Sequence, residues 1–352
     1  MLDWETQAKA TGNGQPQKRE KPWDRKQQQG NRHRLGASGS VQDGTLPPIF
    51  HLILLFAIGL GISSCTTEKS EPEASKVTTT IQLIDAVGDT IRLPHPANRV
   101  ITLAPNLTEM MYAIGAGEQL VGRTAFCDYP QQALALPIMG DMLNIEYEKI
   151  LAAKPDIVLM TIAGNSRSGY DKLKELGLRP VAIDAATVAG VIQSLDTIGT
   201  IVGKQHKSGQ LVARLQRTLD SVKQLTTGAP PISTFIVIDR SMLMTVSRGF
   251  IHQALTIAGG ENIAAGATEA YPIISREELL RKNPEVIILP AVTEADAESL
   301  LELYPEWRAT RAVRNGQFLI IEPNLILRPG PRIVDGVVRL FQLLHPRPVV
   351  RQ

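Results

Sequence analysis

Glu148-Lys149-Ile150-Leu151-Ala152-Ala153-Lys154-Pro155-Asp156-Ile157-Val158-Leu159 returns later in the chain as Glu277-Glu278-Leu279-Leu280-Arg281-Lys282-Asn283-Pro284-Glu285-Val286-Ile287-Ile288. Each copy opens on a glutamate, runs for one or two helical turns, meets a proline and continues as an apolar run. Proline stops the helix because the residue before it is pushed out of the helical region. A short apolar run behind such a stop reads as a strand buried on both faces, as in a parallel sheet. Two copies therefore predict two similar α/β lobes, each with a glutamate at the start of the same helix.

Those glutamates have an ordinary reading and a functional one. A carboxylate in the first turn complements the helix dipole, worth roughly 0.3–1 kcal/mol. Ser275-Arg276-Glu277-Glu278 reads as a capping box, with Ser275 as cap and Glu278 reaching back. That accounts for Glu278 and leaves Glu277 without a structural role.

Outward from the repeats, strand and helix alternate. Thr80–Asp85 and Asp89–Leu93 flank Gly88 as a hairpin. Arg99–Pro105 reads as a buried strand, Asn106–Ile114 as a helix, and Leu120–Thr124 as a second strand. Tyr170–Leu176 is a helix stopped by Gly177, and Pro180–Asp184 closes the first lobe. In the second lobe, Thr234–Ile238, Leu243–Val246 and Gln317–Ile321 read as strands, with helices over Phe250–Ala258, Asp296–Leu303 and Pro331–Leu344. This order predicts α/β architecture: two Rossmann-like lobes with mainly parallel sheets. Between them, Val188 to Val202 keeps helical spacing, and a second helix from Gln205 to Leu225 would measure roughly 30 Å. A helix of that length is a stiff spacer.

With 352 residues and a formal net charge of +2, the chain carries no electrostatic footprint for nucleic acid. Residues 1–48, crowded with Gln, Lys, Arg and Gly, read as a disordered tail or as sequence ahead of the true start. Residues 49–64 form an apolar run shorter than the ~20 residues of a bilayer span. Ile62-Ser63-Ser64-Cys65 resembles the lipobox of bacterial lipoproteins, which makes Cys65 the lipidated residue and 65–78 a polar tether. An uncleaved membrane anchor is the competing reading. With Cys65 lipidated, Cys127 has no partner and no disulfide is expected. The lobes then occupy 79–203 and 231–346, joined by the helix of 204–230.

Arg99-Val100-Ile101-Thr102-Leu103-Ala104-Pro105-Asn106-Leu107-Thr108-Glu109, Cys127-Asp128-Tyr129-Pro130, Lys154-Pro155-Asp156, Gly259-Gly260-Glu261-Asn262 and Pro331-Arg332 recur in that order. In this they resemble the substrate-binding proteins of ABC importers for cobalamin, haem and ferric siderophores, and most of all the cobalamin binders. The resemblance spans about residues 79–345. It implies a monomer anchored to a membrane by lipid in the cell envelope or periplasm, with a small-molecule ligand in the cleft between the lobes. Its partners would be a permease dimer with ATPase subunits. It further implies that Glu148 and Glu277 dock onto permease arginines, and that Asn106, Phe126, Met142, Tyr271, Leu325 and Arg328 contact ligand. Met142 and Leu325 stand where the cobalamin binders carry aromatic residues. Haem binders of this class place an axial tyrosine near Asp141 or Met142; here the nearest is Tyr147. No resident cofactor or metal is implied, only a transported corrinoid, with haem or a ferric siderophore as alternatives.

An enzyme on the same scaffold is the competing class. The sequence holds no Gly-x-Ser-x-Gly elbow, no phosphate-cradling glycine loop and no zinc spacing among its histidines, so no catalytic residue is assigned. A structural envelope lipoprotein would give the paired glutamates no purpose.

Overall fold

The computed structural model describes residues 80–241 and 243–346. The tail, the lipobox with Cys65 and the whole tether lie outside the described residues. A hairpin comes first, β1 (Ile81–Ile84) and β2 (Thr90–Leu93), antiparallel around a turn where Gly88 takes φ 84°. The Asp85 carboxylate organises that turn by accepting from the amides of Val87 and Asp89 at 3.1 and 2.9 Å.

The first lobe follows. Its elements are β3 (Val100–Thr102), α1 (Pro105–Ala113), β4 (Leu120–Gly122), α2 (Tyr147–Ala153), β5 (Ile157–Thr161), α3 (Arg167–Glu175) and β6 (Pro180–Ile183). Next come α4 (Val188–Ile201) and α5 (Gln205–Thr226). The second lobe holds β7 (Ile232–Ile236), α6 (Phe250–Ile257), β8 (Gly260–Asn262), α7 (Arg276–Lys282), β9 (Val286–Pro290), α8 (Glu294–Leu303), α9 (Arg311–Arg314), β10 (Phe318–Ile321), α10 (Pro323–Ile326) and α11 (Ile333–Leu344).

Both sheets have four strands, in the orders β4-β3-β5-β6 and β8-β7-β9-β10, and every pairing in them is parallel. The second order repeats the first strand for strand, as the repeated stretch requires. The repeat also fixes finer detail. Lys154 and Asn283, each just before its proline, end α2 and α7 in the left-handed conformation at φ 47° and 44°. The acid after each proline then reaches the neighbouring strand. Asp156 accepts from the amides of Asn98 and Arg99 at 2.7 and 2.9 Å, and Glu285 accepts from that of Ser233 at 3.1 Å.

The central strands β5 and β9 are buried at every position, and their side chains alternate between two faces as a two-residue period dictates. Ile101, Leu103, Val158 and Met160 face an outer core in the first lobe, and Phe235, Val237, Ile287 and Leu289 face its counterpart in the second. The opposite faces share one core. Leu159 and Val181 of the first lobe, Leu195 and Ile198 of α4, Leu211, Leu215, Leu219 and Val222 of α5, and Ile288, Val337 and Leu340 of the second lobe are one continuous apolar cluster. The stiff connection is therefore a packed layer. α5 has 22 residues, about 33 Å of helix, and buries one stripe of them. It lies close on α4: a Cβ at Gly199 would come within 2.2 Å of the Ser208 hydroxyl.

Three local expectations fail. Leu243–Val246 forms no strand, because Leu243 sits at φ 51° and Met244 makes only isolated bridges to Asp239 and Ile273. Gly259-Gly260, which reads only as the stop of the helix over Phe250–Ala258, does end α6, with Gly259 at φ 89°, but Gly260–Asn262 goes on unforeseen as the edge strand β8. The capping box at Ser275 is half made: its hydroxyl accepts from the Glu278 amide at 3.1 Å, while the Glu278 carboxylate turns to Arg281 and Lys282 at 3.8 and 3.7 Å.

Candidate functional site

In open parallel sheets the ligand crevice lies beyond the carboxyl ends of the strands. Here two such ends meet. Pro105 opens α1 directly behind β3, where its missing amide costs nothing, and so sets Asn106 and Glu109 against the second lobe. The Asn106 side-chain amide lies 3.4 Å from the Pro329 carbonyl. Glu109 is 3% exposed; its Oε2 accepts from Arg332 Nη2 at 2.8 Å and its Oε1 from the Arg332 amide at 3.3 Å. Gly330 lets the backbone come this near, since a Cβ there would lie 3.0 Å from Glu109 Oε1. The Arg332 guanidinium also covers the Tyr129 ring at 3.8 Å. Burial, the largest single effect, disfavours the Arg332 charge, but the bond to Glu109 and the charges of Glu109, Tyr129 and Glu322 together outweigh it and hold the group above its ordinary value. Asn106 and Glu109 thus form a joint between the lobes, and Asn106 is buried in it rather than open to a ligand.

The remaining ligand candidates lie beyond the carboxyl ends of strands, Leu325 in the short α10 and the others on loops. Phe126, behind β4, is 59% exposed, while the neighbouring Cys127 is buried with its sulfur 3.1 Å from the Thr124 hydroxyl. Met142 is half-buried against the shared core. Its loop is held by Asn165, which donates to the Met142 and Leu103 carbonyls at 2.8 and 3.0 Å and accepts from the Thr161 amide at 2.9 Å. In the second lobe Tyr271 is partly exposed and Leu325 is half-buried. Arg328 reaches across to the first lobe and pairs with Asp128 through both guanidinium nitrogens. That bond, aided by the charge of Arg328, holds the Asp128 carboxyl below the usual carboxylate range against a smaller upward effect of burial.

Sequence reasoning missed Asp128, Glu109 and Asn165 as organisers of this region. The first two find partners about 200 positions away, and no local pattern announces such a pairing. It also passed over Leu143, Ile273 and Val292, large apolar residues on cleft loops that are 68%, 62% and 79% exposed. A signal was available, since apolar residues in loops behind buried strands have no core to enter.

Glu148 and Glu277 occupy the second position of α2 and α7, and both are exposed. The Glu277 carboxyl is lowered by its own backbone amide and by the Ser275 hydroxyl, so it is presented ionised. A cavity of about 450 Å³ lies behind the Glu109–Arg332 joint, between α1, α5 and the start of α11, with Tyr112, Arg214 and Asp335 in its wall. None of the six ligand candidates lines it. Among the described residues no group of three or more His, Cys, Asp or Glu side chains could hold a metal ion, and no helix is long and apolar enough to cross a membrane.

Known proteins share this architecture. The chain is 30% identical to the vitamin B12-binding protein of Vibrio cholerae over 253 residues, covering 71% of this chain and 90% of that protein. It is 26% identical to an uncharacterized ABC transporter substrate-binding lipoprotein, YvrC, of Bacillus subtilis over 308 residues, 85% of this chain and 96% of that one. The crystal structure of the periplasmic vitamin B12 binding protein BtuF of Vibrio cholerae superposes with a TM-score of 0.64 at 28% identity, covering 71% of this chain and 97% of the other. A periplasmic heme binding protein of Pseudomonas aeruginosa gives 0.63 at 25% identity, with 71% and 94% covered. The model of the family described as periplasmic binding protein matches residues 100–325, from β3 into α10 and so across both lobes. The chain belongs to that family.

Proposed function

We propose that this chain is the substrate-binding lipoprotein of an ABC importer, which captures a cobalamin-like corrinoid between its lobes and delivers it to a permease dimer driven by ATPase subunits. The observation that carries the reading is the 30% identity to the vitamin B12-binding protein of Vibrio cholerae along 90% of its length. The chemistry of the cleft agrees. A corrinoid is a large, flat, partly apolar ring, and such ligands suit apolar walls with a few placed polar groups. Phe126 and Met142 would supply the wall from one lobe, Tyr271 and Leu325 from the other, with Arg328 at the margin and Asn106 positioning the joint.

Haem or a ferric siderophore is the alternative cargo within the same importer class. Haem iron needs a protein ligand such as tyrosine or histidine. Tyr147, the tyrosine nearest the loop in question, packs against the outer core of the first lobe, which favours the corrinoid.

Glu148 and Glu277 would register the loaded protein on the permease. Exposed carboxylates on equivalent helices steer and align a partner more than they add affinity. Lipid on Cys65 would hold the protein at the membrane, in keeping with the lipoprotein of Bacillus subtilis it resembles.

Calorimetric titration of the full chain in detergent with cyanocobalamin, haemin and a ferric siderophore tests the cargo. Sub-micromolar binding of the corrinoid alone is expected, and tight haemin binding without it would sink the corrinoid reading. Replacing Glu148 and Glu277 together by alanine should abolish import and leave ligand affinity unchanged; a collapse of affinity would defeat the docking assignment.

A further inference from the structure

Asp128, in the loop after β4, and Arg328, in the loop after α10, meet across the cleft although 200 positions apart in sequence, with Arg328 Nη2 3.0 Å from Asp128 Oδ2 and Nη1 on Oδ1. This is the fork-to-carboxylate geometry in which arginine binds acids most specifically. The Arg328 side chain is 23% exposed and that of Asp128 55% exposed, so the pair sits at a solvated margin that an incoming ligand can reach.

The rest of the cleft offers an anion little. With the ion pairs Asp128–Arg328, Glu109–Arg332, Arg240–Asp296 and Glu146–Lys149 set aside, the loops at the strand ends carry Asp141, Asp184, Glu269 and Glu322. Against these acids stand Arg123 and Arg248. Arg123 is buried and donates to the carbonyls of Thr124 and Leu134 at 2.9 and 3.2 Å, and Arg248 donates to that of Thr268 at 2.9 Å. Like charges gathered in a cleft focus a field that repels ligands of the same sign. Arg328 would be the natural partner of a ligand carboxylate or catecholate. A tethered Asp128 competes for it at the high effective concentration of an intramolecular group.

We propose that Asp128 sets the charge class of the ligand: by holding Arg328 it withholds that guanidinium from anions, so the cleft accepts ligands of zero or positive net charge and rejects polyanions. The inference rests on the interlobe cleft being the ligand site, but not on the ligand being a corrinoid.

The test titrates the full chain and its Asp128→Asn variant with four probes: cyanocobalamin (neutral), ferrioxamine B (cationic), haemin and ferric enterobactin (both anionic). The wild-type protein should bind a neutral or cationic probe more tightly than either anion. In Asp128→Asn the ratio of anion to neutral-probe or cation affinity should rise by about tenfold or more, the scale of one charge-assisted hydrogen bond. Adding Arg328→Gln should remove that gain, which a merely structural effect of Asp128 would not do, and a thermal melt checks that both variants fold. An unchanged ratio overturns the proposal, as does wild-type preference for either anion or silence of every probe with both proteins. Binding of ferrioxamine B without cyanocobalamin would defeat the corrinoid reading and leave this inference standing.

Discussion

The outer face of the first sheet is keyed by Tyr170, whereas the same face of the second is filled by Trp307; both side chains are wholly buried. Tyr170 donates its hydroxyl to Asp85 at 2.7 Å and reaches Asp89 at 3.1 Å, and Lys174 approaches the same Asp89 at 2.6 Å. This polar key ties the leading hairpin onto the lobe. Trp307 stacks on Tyr304 with centroids 5.2 Å apart and meets Phe235 edge-on at 6.0 Å. Its indole nitrogen is buried with no protein hydrogen-bond partner. The lobes thus agree where backbone geometry governs them, in strand order and helix ends, and diverge where only volume must be filled. A frame can be shared by repetition while each lobe solves its packing separately.

Substitutions should expose the difference. Trp307→Ala removes the centre of an aromatic cluster and is expected to cost about 3–5 kcal/mol, read as a fall in the denaturation midpoint. Trp307→Phe should lose much less, because the indole N–H it discards satisfies nothing. The first lobe should respond in the opposite sense. Tyr170→Phe keeps the ring and still costs about 1.5–3 kcal/mol, since its hydroxyl bonds to charged groups. If Tyr170→Phe proved neutral, the polar key would be a by-product of packing. The pH profile adds an independent reading. Burial, then the bonds and charges of Asp85 and Asp89, push the Tyr170 phenol well above its ordinary value. Its contribution is complete below about pH 10, where the unfolded phenol ionises, and falls as the pH rises beyond it. Tyr170→Phe should flatten that alkaline decline.

The helix starts differ on a smaller scale. Ser275 caps α7, whereas Glu146 precedes α2 without a side-chain cap. Ser275→Ala should cost about 1 kcal/mol. Glu146→Ser should gain about 0.5 kcal/mol, the new cap being offset by loss of the exposed pair with Lys149. Equal and small effects at both sites would mean that these short helices are held by packing alone.

What was legible in the sequence follows the same division. Proline stops, apolar runs and the repeated glutamates are local signals, and they carry the two lobes, the parallel sheets and the connecting helix. β8 was hidden because three residues that open on the second of two glycines give no period. The region around Leu243 misled because its residues favour a strand while its backbone turns left-handed at φ 51°. In the candidate site, Phe126, Met142, Tyr271, Leu325 and Arg328 were expected by resemblance alone, and the pairing of Arg328 with Asp128 was not foreseen. Pairings across about 200 residues are products of the fold, and a single sequence does not contain them.

The finest contrast between the copies lies at the two left-handed residues, and it sets the smallest prediction. A side chain in that conformation costs roughly 1–2 kcal/mol, part of which glycine returns through its freer unfolded chain. Lys154 is exposed and its backbone, rather than its side chain, serves the structure, its carbonyl accepting from Arg99 Nε at 3.1 Å. Lys154→Gly should therefore stabilise by about 0.5–1 kcal/mol. Asn283 stands at the matching place with nearly the same φ, but its side-chain oxygen accepts from the Arg311 amide at 2.8 Å, and asparagine tolerates the left-handed region better than lysine. Asn283→Gly should then be neutral or destabilising by up to about 1 kcal/mol, because relief of strain is offset by a lost hydrogen bond. Paired thermal melts decide it. Opposite signs would mean that the repeat conserves a backbone turn and leaves each lobe to choose the side chain that holds it. Equal gains would mean that the Asn283 bond contributes nothing, and that the two copies are more alike than their sequences suggest.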